Sequence, residues 1–172
     1  MKKFSIIFIS FLIALLSGCN NKSSDVKIIT SELSFLAETE KNNIKSEYFV
    51  EIKKDKTIIS VINPENIEGT KFIFSESGCE VSYKEITTKL IPNKSDENFI
   101  PQLIYNTFLK ANDRKTEILS ENKQTYLSSK IENLEFRLYL GNSGLPLKLI
   151  FPETNTEIII KNATISKNKP DC

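Results

Sequence analysis

Apolar and polar residues alternate along most of this chain, which is the pattern of strands that bury one face. The alternation is clearest over 47–52, 70–74 and 79–83, and polar turns separate these runs. Short strands with closely spaced turns predict an antiparallel meander. Further runs of the same kind cover 57–62, 86–90, 116–119, 125–131, 134–140, 145–151 and 156–160.

The clearest pair of strands is 134–140 and 145–151. In both runs every second residue is a large apolar residue, and the turn-forming segment 141–144 (Gly-Asn-Ser-Gly) separates them. A loop of four to five residues between two alternating runs predicts a β-hairpin.

Segment 98–111 breaks the period of two, because its apolar residues recur three and four positions apart. Asn98 is a suitable N-cap, and Pro101 falls in the first turn, where no backbone donor is needed. We therefore predict one helix here, with an apolar face made of Ile100, Leu103, Ile104, Phe108 and Ala111. Segment 26–36 fits either a short helix or a strand; a short helix followed by a strand is favoured over 26–44, and 164–172 is expected to be a frayed end.

These elements predict a mainly β (α+β) fold: a single curled antiparallel sheet, a half-barrel, of about nine to eleven strands covered by the inserted helix. A twisted sheet of this length must curl. A 14-residue helix is only about 21 Å long, so part of the apolar face is expected to form a groove. The candidate groove residues are Val50, Ile59, Phe72, Phe74, Val81, Phe136, Leu138, Leu147 and Leu149. The alternative, that they simply form the core under the helix, stays open.

The N-terminus has the features of an export signal. Lys2 and Lys3 precede an apolar run over 4–16, which is too short for a bilayer core of about 30 Å. The run ends in Leu16-Ser17-Gly18-Cys19, which resembles the bacterial lipobox. We therefore expect residues 1–18 to be a lipoprotein signal peptide and Cys19 to carry a diacylglyceryl group.

Two acyl chains hold a protein stably on a membrane, so this resemblance implies a lipid-anchored protein on the extracytoplasmic side of the cell membrane. The polar residues that follow predict a tether. The expected organisation is therefore a lipidated cysteine with a flexible tether over 19–27 and one domain over 28–166.

Composition argues against several classes of function. Removing 1–18 leaves 21 basic and 22 acidic residues, because Lys2 and Lys3 are lost from the 23 basic ones, and so balanced a chain is not expected to bind nucleic acid. Histidine is absent, which excludes Ser-His and Cys-His pairs. The acidic residues in strands, such as Glu47, Glu80 and Glu135, fit a solvated sheet face. We expect no catalytic site, no metal and no cofactor.

Cys79 and Cys172 remain in a compartment where disulfides persist. A bridge between them would close a loop of about 94 residues and contribute roughly 4 kcal/mol in the chain-entropy model. Two independent thiols are the alternative, and the sequence leaves both open.

Several short motifs resemble the LolA-like half-barrel, the fold of bacterial lipoprotein carriers and related cell-surface lipoproteins. They are the lipobox at Cys19, the strand-turn-strand over 59–69, the strand over 80–84 and the hairpin entering at 144–146. The stretch 64–70 (Pro-Glu-Asn-Ile-Glu-Gly-Thr) is similar to an element of Gram-positive members, some of which are related to a germination lipoprotein of spore formers.

The resemblance implies two non-catalytic functions. Carrier members hold acyl chains in the half-barrel, so this chain would hold a lipid or another hydrophobic ligand in its groove. The germination-type lipoprotein binds a cell-wall amidase, so this chain would instead be a tethered partner that docks an extracytoplasmic enzyme. An apolar cavity would favour the first function, and a closed interior beside an exposed apolar patch or a bare edge strand would favour the second.

Overall fold

The computed structural model of the protein describes residues 32–41, 43–90 and 99–165. The predicted signal peptide, Cys19, the tether, Asn98 and Cys172 lie outside these residues. The described residues form strands β1 (Leu33–Lys41), β2 (Ile44–Ile52), β3 (Lys56–Asn63), β4 (Lys71–Ser75), β5 (Gly78–Tyr83), β6 (Ile86–Leu90), β7 (Glu117–Glu121), β8 (Gln124–Ile131), β9 (Leu134–Leu140), β10 (Pro146–Phe151) and β11 (Thr156–Ile165), with one helix, α1 (Ile100–Ala111).

The strands form one antiparallel sheet in the order β6-β5-β4-β3-β2-β1-β11-β10-β9-β8-β7. The first and last strands therefore pair in the middle, and β6 and β7 are the two edges. Helix α1 is inserted between these edge strands in the sequence. The predicted fold class, mainly β with a single large sheet and one inserted helix, is confirmed at this level.

The register aligns apolar residues of neighbouring strands on one face. Val50 pairs with Ile59, and Ile59 pairs with Phe72. In the other half of the sheet Leu138 pairs with both Leu127 and Leu149. Because directly paired residues point to the same side, these rows make one continuous apolar face. Helix α1 covers this face with Ile100, Leu103, Ile104, Phe108 and Ala111, as its spacing predicts.

The positions of the helix contacts show that the sheet is curled. Helix α1 reaches β4 through Tyr105 and Phe74, and it also packs on β8. These two strands are seven positions apart in the sheet, a separation of roughly 34 Å if the sheet were flat. A 12-residue helix is only about 18 Å long. The sheet must therefore curve around the helix, so the apolar face is its concave face.

Of the two alternatives for 26–36, a short helix or a strand, the structure shows a strand where it describes this segment, because β1 begins at Leu33. Leu33, Phe35 and Ala37 alternate with half-buried residues and lie on the concave face. Strands β2 and β11 flank β1, so pairing on both sides outweighs local helix propensity.

Leu147 departs from the alternation predicted for its strand. Pro146 pairs with Leu140 and Lys148 pairs with Tyr139, so Leu147 is the extra residue of a β-bulge. The bulge shifts the pleat by one position: Pro146 is fully buried, whereas Leu147 is 46% exposed. Leu147 is thus turned away from the concave face that Leu149 and Phe151 share.

A candidate ligand-binding face under the helix

The structure brings eight of the nine predicted groove residues together on the concave face. Leu147, on the bulge, is the exception. Five of these side chains have no solvent exposure: Val50, Ile59, Phe136, Leu138 and Leu149. Phe74 is nearly as buried, and Phe72 and Val81 are half-buried.

Aromatic side chains fill the space between helix and sheet. Phe99, next to the helix, meets Phe72 edge-on with ring centroids 5.1 Å apart. Tyr105 stacks on Phe74 at 4.7 Å. In a third contact, Phe108 of the helix lies against Phe35 of the central strand β1. Helix α1 therefore forms a lid that rests on the predicted groove residues and fills the space over the concave face.

Two buried polar groups lie on helix α1. Thr107 is fully buried, and its hydroxyl donates to the Leu103 carbonyl oxygen at 2.8 Å, so its hydrogen bond is internal to the helix. The Oε1 atom of Gln102 is buried and has no hydrogen-bond partner within the described residues. Gln102 lies one helical turn from both Phe99 and Tyr105, so this unpaired acceptor is beside the aromatic contacts.

One end of the concave face is apolar and partly open. We name this end the apolar rim, and it is the end at which β1 begins. Its members lie where strands end or turn, are half-buried or exposed, and four of them pack against the apolar core. The apolar rim consists of Ile52, Leu90, Leu140, Leu145 and Ile165, the last of which is 51% exposed.

Buried threonines lie at the opposite end of the face. Thr39, Thr70 and Thr156 are all nearly inaccessible to solvent. The Thr39 hydroxyl donates to the Glu157 carbonyl oxygen at 2.8 Å, and the hydroxyls of Thr154 and Thr156 are 2.9 Å apart. Half-buried Phe72 and Ile131 lie at this end as well, so part of the concave face is accessible at both ends.

The thiol of Cys79 lies on the concave face behind Phe74, with which it pairs. Burial, assisted by the negative charge of Glu80, raises the pKa of Cys79 to about 11. The thiol is therefore protonated at neutral pH and is not a nucleophile there. Burial also raises the pKa of Tyr105, with a smaller contribution from Glu76. Both shifts follow mainly from burial in an apolar environment, with smaller contributions from nearby negative charges.

A polar depression on the other side of the sheet escaped the sequence prediction. It measures about 580 Å³ and lies where β1, β2, β3 and β11 meet. Glu38 pairs directly with Glu47 there, and the Lys161 ammonium contacts the Glu38 carboxylate at 2.6 Å. The alternation predicted only a solvated face. The signal that sequence could not supply is the pairing register, which brings the carboxylates together.

Both edge strands are exposed. Every residue of β7 and four of the five residues of β6 are exposed. Ile86 of β6 is 72% exposed and Ile118 of β7 is 56% exposed. Within the described part of the chain, no further strand pairs with either edge. These edges can accept an additional strand from a partner.

Cys79 is a free thiol in the described residues, and Cys172, with which the sequence allows it to pair, lies outside them. Across 32–41, 43–90 and 99–165, no group of three or more His, Cys, Asp or Glu side chains is arranged to hold a metal ion. No helix in the described part of the chain is long and apolar enough to cross a membrane.

No protein-family model and no curated protein matches the chain. Among solved structures, an uncharacterized conserved protein from Thermus thermophilus is similar with a TM-score of 0.50 and 10% identity, over 82% of each chain. A DUF1329 family protein from Desulfovibrio piger is similar with a TM-score of 0.50 and 10% identity, over 86% of this chain and 91% of that one. A LolA superfamily protein from Nitrosomonas europaea matches with a TM-score of 0.45 and 10% identity, over 84% and 90%. The first two similarities show that the fold recurs among bacterial proteins.

Proposed function

We propose that this protein is an extracytoplasmic lipoprotein, anchored through Cys19, with a non-catalytic binding function. Its ligand is an acyl chain or another hydrophobic molecule, which it receives between helix α1 and the concave face of the half-barrel. The resemblance of its short motifs to LolA-like proteins, whose carrier members hold acyl chains, supports this ligand class.

The observation that carries the proposal is the partly accessible apolar surface of the apolar rim. There Leu140 and Leu145 are half-buried and Ile165 is exposed, next to the buried core of the concave face. A core that served only for stability would gain from burying those side chains, at about 25 cal/mol for each Å² removed from water. Leaving them accessible is typical of a site where apolar surface is buried on binding.

The contacts of the helix suggest how a ligand enters. The helix meets β4 through ring contacts with Phe72 and Phe74, and aromatic pairs of this kind contribute about 0.5–1.5 kcal/mol each beyond their buried area. An acyl chain that passed the apolar rim would replace these contacts with its own. Binding therefore requires a shift of α1 or of its aromatic side chains, and the unpaired Oε1 atom of Gln102 is available to a hydroxyl or amide of the ligand.

A second function is supported by a different observation, which meets the criterion given in the sequence analysis: α1 fills the interior, and both edge strands are bare among the described residues. The exposed strands β6 and β7 offer backbone donors and acceptors along both edges, with Ile86 and Ile118 beside them. An extracytoplasmic enzyme, such as a cell-wall amidase, would dock by adding a strand to one edge. The two functions use different surfaces, so variants can separate them.

Native mass spectrometry of residues 20–172 tests the proposed ligand. The delipidated protein is incubated with a phospholipid and, separately, with a long-chain fatty acid. We expect one ligand per chain. Leu145→Glu, which places a charge on the apolar rim, should weaken binding roughly tenfold or more. Leu147→Glu is the matched control, since Leu147 lies two residues away but faces outward, and should bind like the native protein.

A clean ligand-free mass in every incubation would contradict the hydrophobic-ligand proposal. Equal loss of binding in Leu145→Glu and Leu147→Glu would contradict the assignment of the site to the concave face. Edge docking is tested independently with a purified cell-wall amidase and an Ile118→Lys variant, which should lose the enzyme without losing lipid.

A further inference from the structure

The start of β1 fixes where the N-terminal tether leaves the domain. Leu33 pairs with Ile52 on one side and with Ile165 on the other, and both belong to the apolar rim. Only 13 residue steps separate Cys19 from Glu32, a span of at most about 45 Å when fully extended. If Cys19 carries lipid, this length lets the apolar rim reach the membrane, and the charges of the turns then bear on which end of the domain faces it.

The turns at the two ends of the sheet differ in charge. The strand-to-strand turns on the rim side are 53–55, 76–77, 122–123 and 141–145, and they contain three lysines against two acidic residues. Those at the far end are 64–70, 84–85, 132–133 and 152–155, with one lysine against five acidic residues. An anionic membrane surface attracts basic segments and repels acidic ones within about a Debye length. The far end is therefore disfavoured at such a surface.

Three described lysines lie in the turn that follows Ile52, the residue paired with the start of β1. Lys53 and Lys54 follow Ile52 directly, and Lys56 opens the next strand, where its carbonyl oxygen accepts from the Lys53 amide at 2.8 Å. The Lys53 ammonium forms an ion pair with the Glu51 carboxylate at 3.4 Å, whereas Lys54 and Lys56 are exposed. This lysine turn, residues 53–56, thus lies beside the apolar rim, at the end of the sheet where β1 begins.

From these three observations we propose that the apolar rim and the lysine turn form a membrane-docking surface for anionic phospholipid headgroups. The half-barrel stands with its apolar rim on the bilayer and its acidic turns away from it, so an acyl chain can pass from the membrane to the concave face without crossing water. The orientation rests on the proposed lipid anchor, although the surface itself is built from described residues.

Hydrogen exchange of membrane-anchored protein tests this orientation. Residues 19–172 carrying Cys79→Ala and Cys172→Ala are coupled through Cys19 to a maleimide phospholipid, so the experiment does not depend on biological lipidation. Vesicles contain either 30% phosphatidylglycerol in phosphatidylcholine or phosphatidylcholine alone. On the anionic vesicles, we expect amide exchange in 53–55 and 141–145 to slow severalfold relative to the uncoupled protein, with no change in 65–69 and 152–155.

A charge-reversal triplet supplies the control. Lys53→Glu with Lys54→Glu and Lys56→Glu should remove the protection on anionic vesicles, since each lysine near such a surface contributes about fivefold to binding. The same triplet at Lys41, Lys45 and Lys84, near the far end, should leave the protection intact. Protection at both ends alike, at the far end only, or at neither end would overturn the proposal. Because ligand binding by residues 20–172 is measured in solution, its failure is distinguishable from failure of this orientation.

Discussion

The ring of Phe108 lies against the ring of Phe35, with centroids 5.2 Å apart and planes inclined by 34°. Phe108 belongs to α1, which leads from one edge of the sheet to the other, and Phe35 belongs to β1, the middle strand of the eleven. One contact therefore joins the inserted helix to the centre of the sheet. Both side chains are almost completely buried, so this contact fixes the lid over the concave face.

Phe108→Ala should destabilise the protein by roughly 3–5 kcal/mol, because it removes buried ring surface and leaves a cavity against Phe35. Urea unfolding of residues 20–172 measures the change. Leu109→Ala is the matched control, since the neighbouring Leu109 is 61% exposed, and it should change the free energy of unfolding by no more than about 0.5 kcal/mol. Equal effects of the two substitutions would contradict the packing of the helix described above.

The burial of Cys79 predicts a loss of stability at high pH. Its pKa is raised to about 11 in the folded protein from an ordinary 9.0, with burial as the main cause. Between these values the unfolded chain has lost the thiol proton while the folded chain keeps it, so the free energy of unfolding falls as pH rises from 9 to 11. Below pH 9 this contribution is fully present.

Urea unfolding at pH 8, 9, 10 and 11 measures that fall, in residues 20–172 carrying Cys172→Ala. Tyr48 and Tyr105 also have raised pKa values and act in the same direction. Cys79→Ala provides the comparison, because it keeps both tyrosines. The free energy of unfolding of Cys79→Ala should decline less steeply with pH over the same range. Parallel declines in the two proteins would show that the Cys79 thiol is not buried as described.

Pairing of Cys79 with Cys172 lies within the reach of the chain. Five inter-strand intervals separate β5 from β11, roughly 24 Å across a flat sheet and less across a curled one, and the seven residues beyond Ile165 span at most about 24 Å. Because Cys79 is a buried thiol, we nevertheless expect two free thiols. Alkylation of oxidised, denatured, unreduced residues 20–172 should add two labels, and a product with no label would establish the disulfide instead.

Lipidation of Cys19 stays a prediction from the sequence. Full-length protein expressed in a bacterium should take up an alkyne-tagged palmitate and sediment with membranes. Cys19→Ser should lose both the label and the sedimentation, because no other residue of the lipobox can form the thioether. Retention of the label in Cys19→Ser would place the lipid elsewhere.

The sequence predicted the elements well where local pattern and tertiary environment agree. Alternation over 134–140 and the Gly-containing turn 141–144 identified the hairpin of β9 and β10, and helical spacing identified α1 to within two residues. The pattern also placed eight groove residues on one face, because a period of two leaves no choice of side once the core is known.

The failures arise where long-range structure decides. Leu147 was assigned to the concave face because nothing in the sequence marks the bulge that turns it outward. The segment around Leu33 fitted either a helix or a strand, and pairing with strands on both sides decides for the strand. The composition of the apolar rim also depends on which strand ends meet, a property of the sheet order that local pattern does not contain.

The central claim is that a hydrophobic ligand lies between α1 and the concave face. Photo-crosslinking in the full-length, membrane-anchored protein with a diazirine-bearing fatty acid, followed by peptide mapping, tests it most directly. We predict adducts on residues beneath the helix, above all Phe74 and Leu138, and none on outward-facing Leu147. Adducts confined to the edge strands β6 and β7, or spread equally over both faces of the sheet, would contradict the claim.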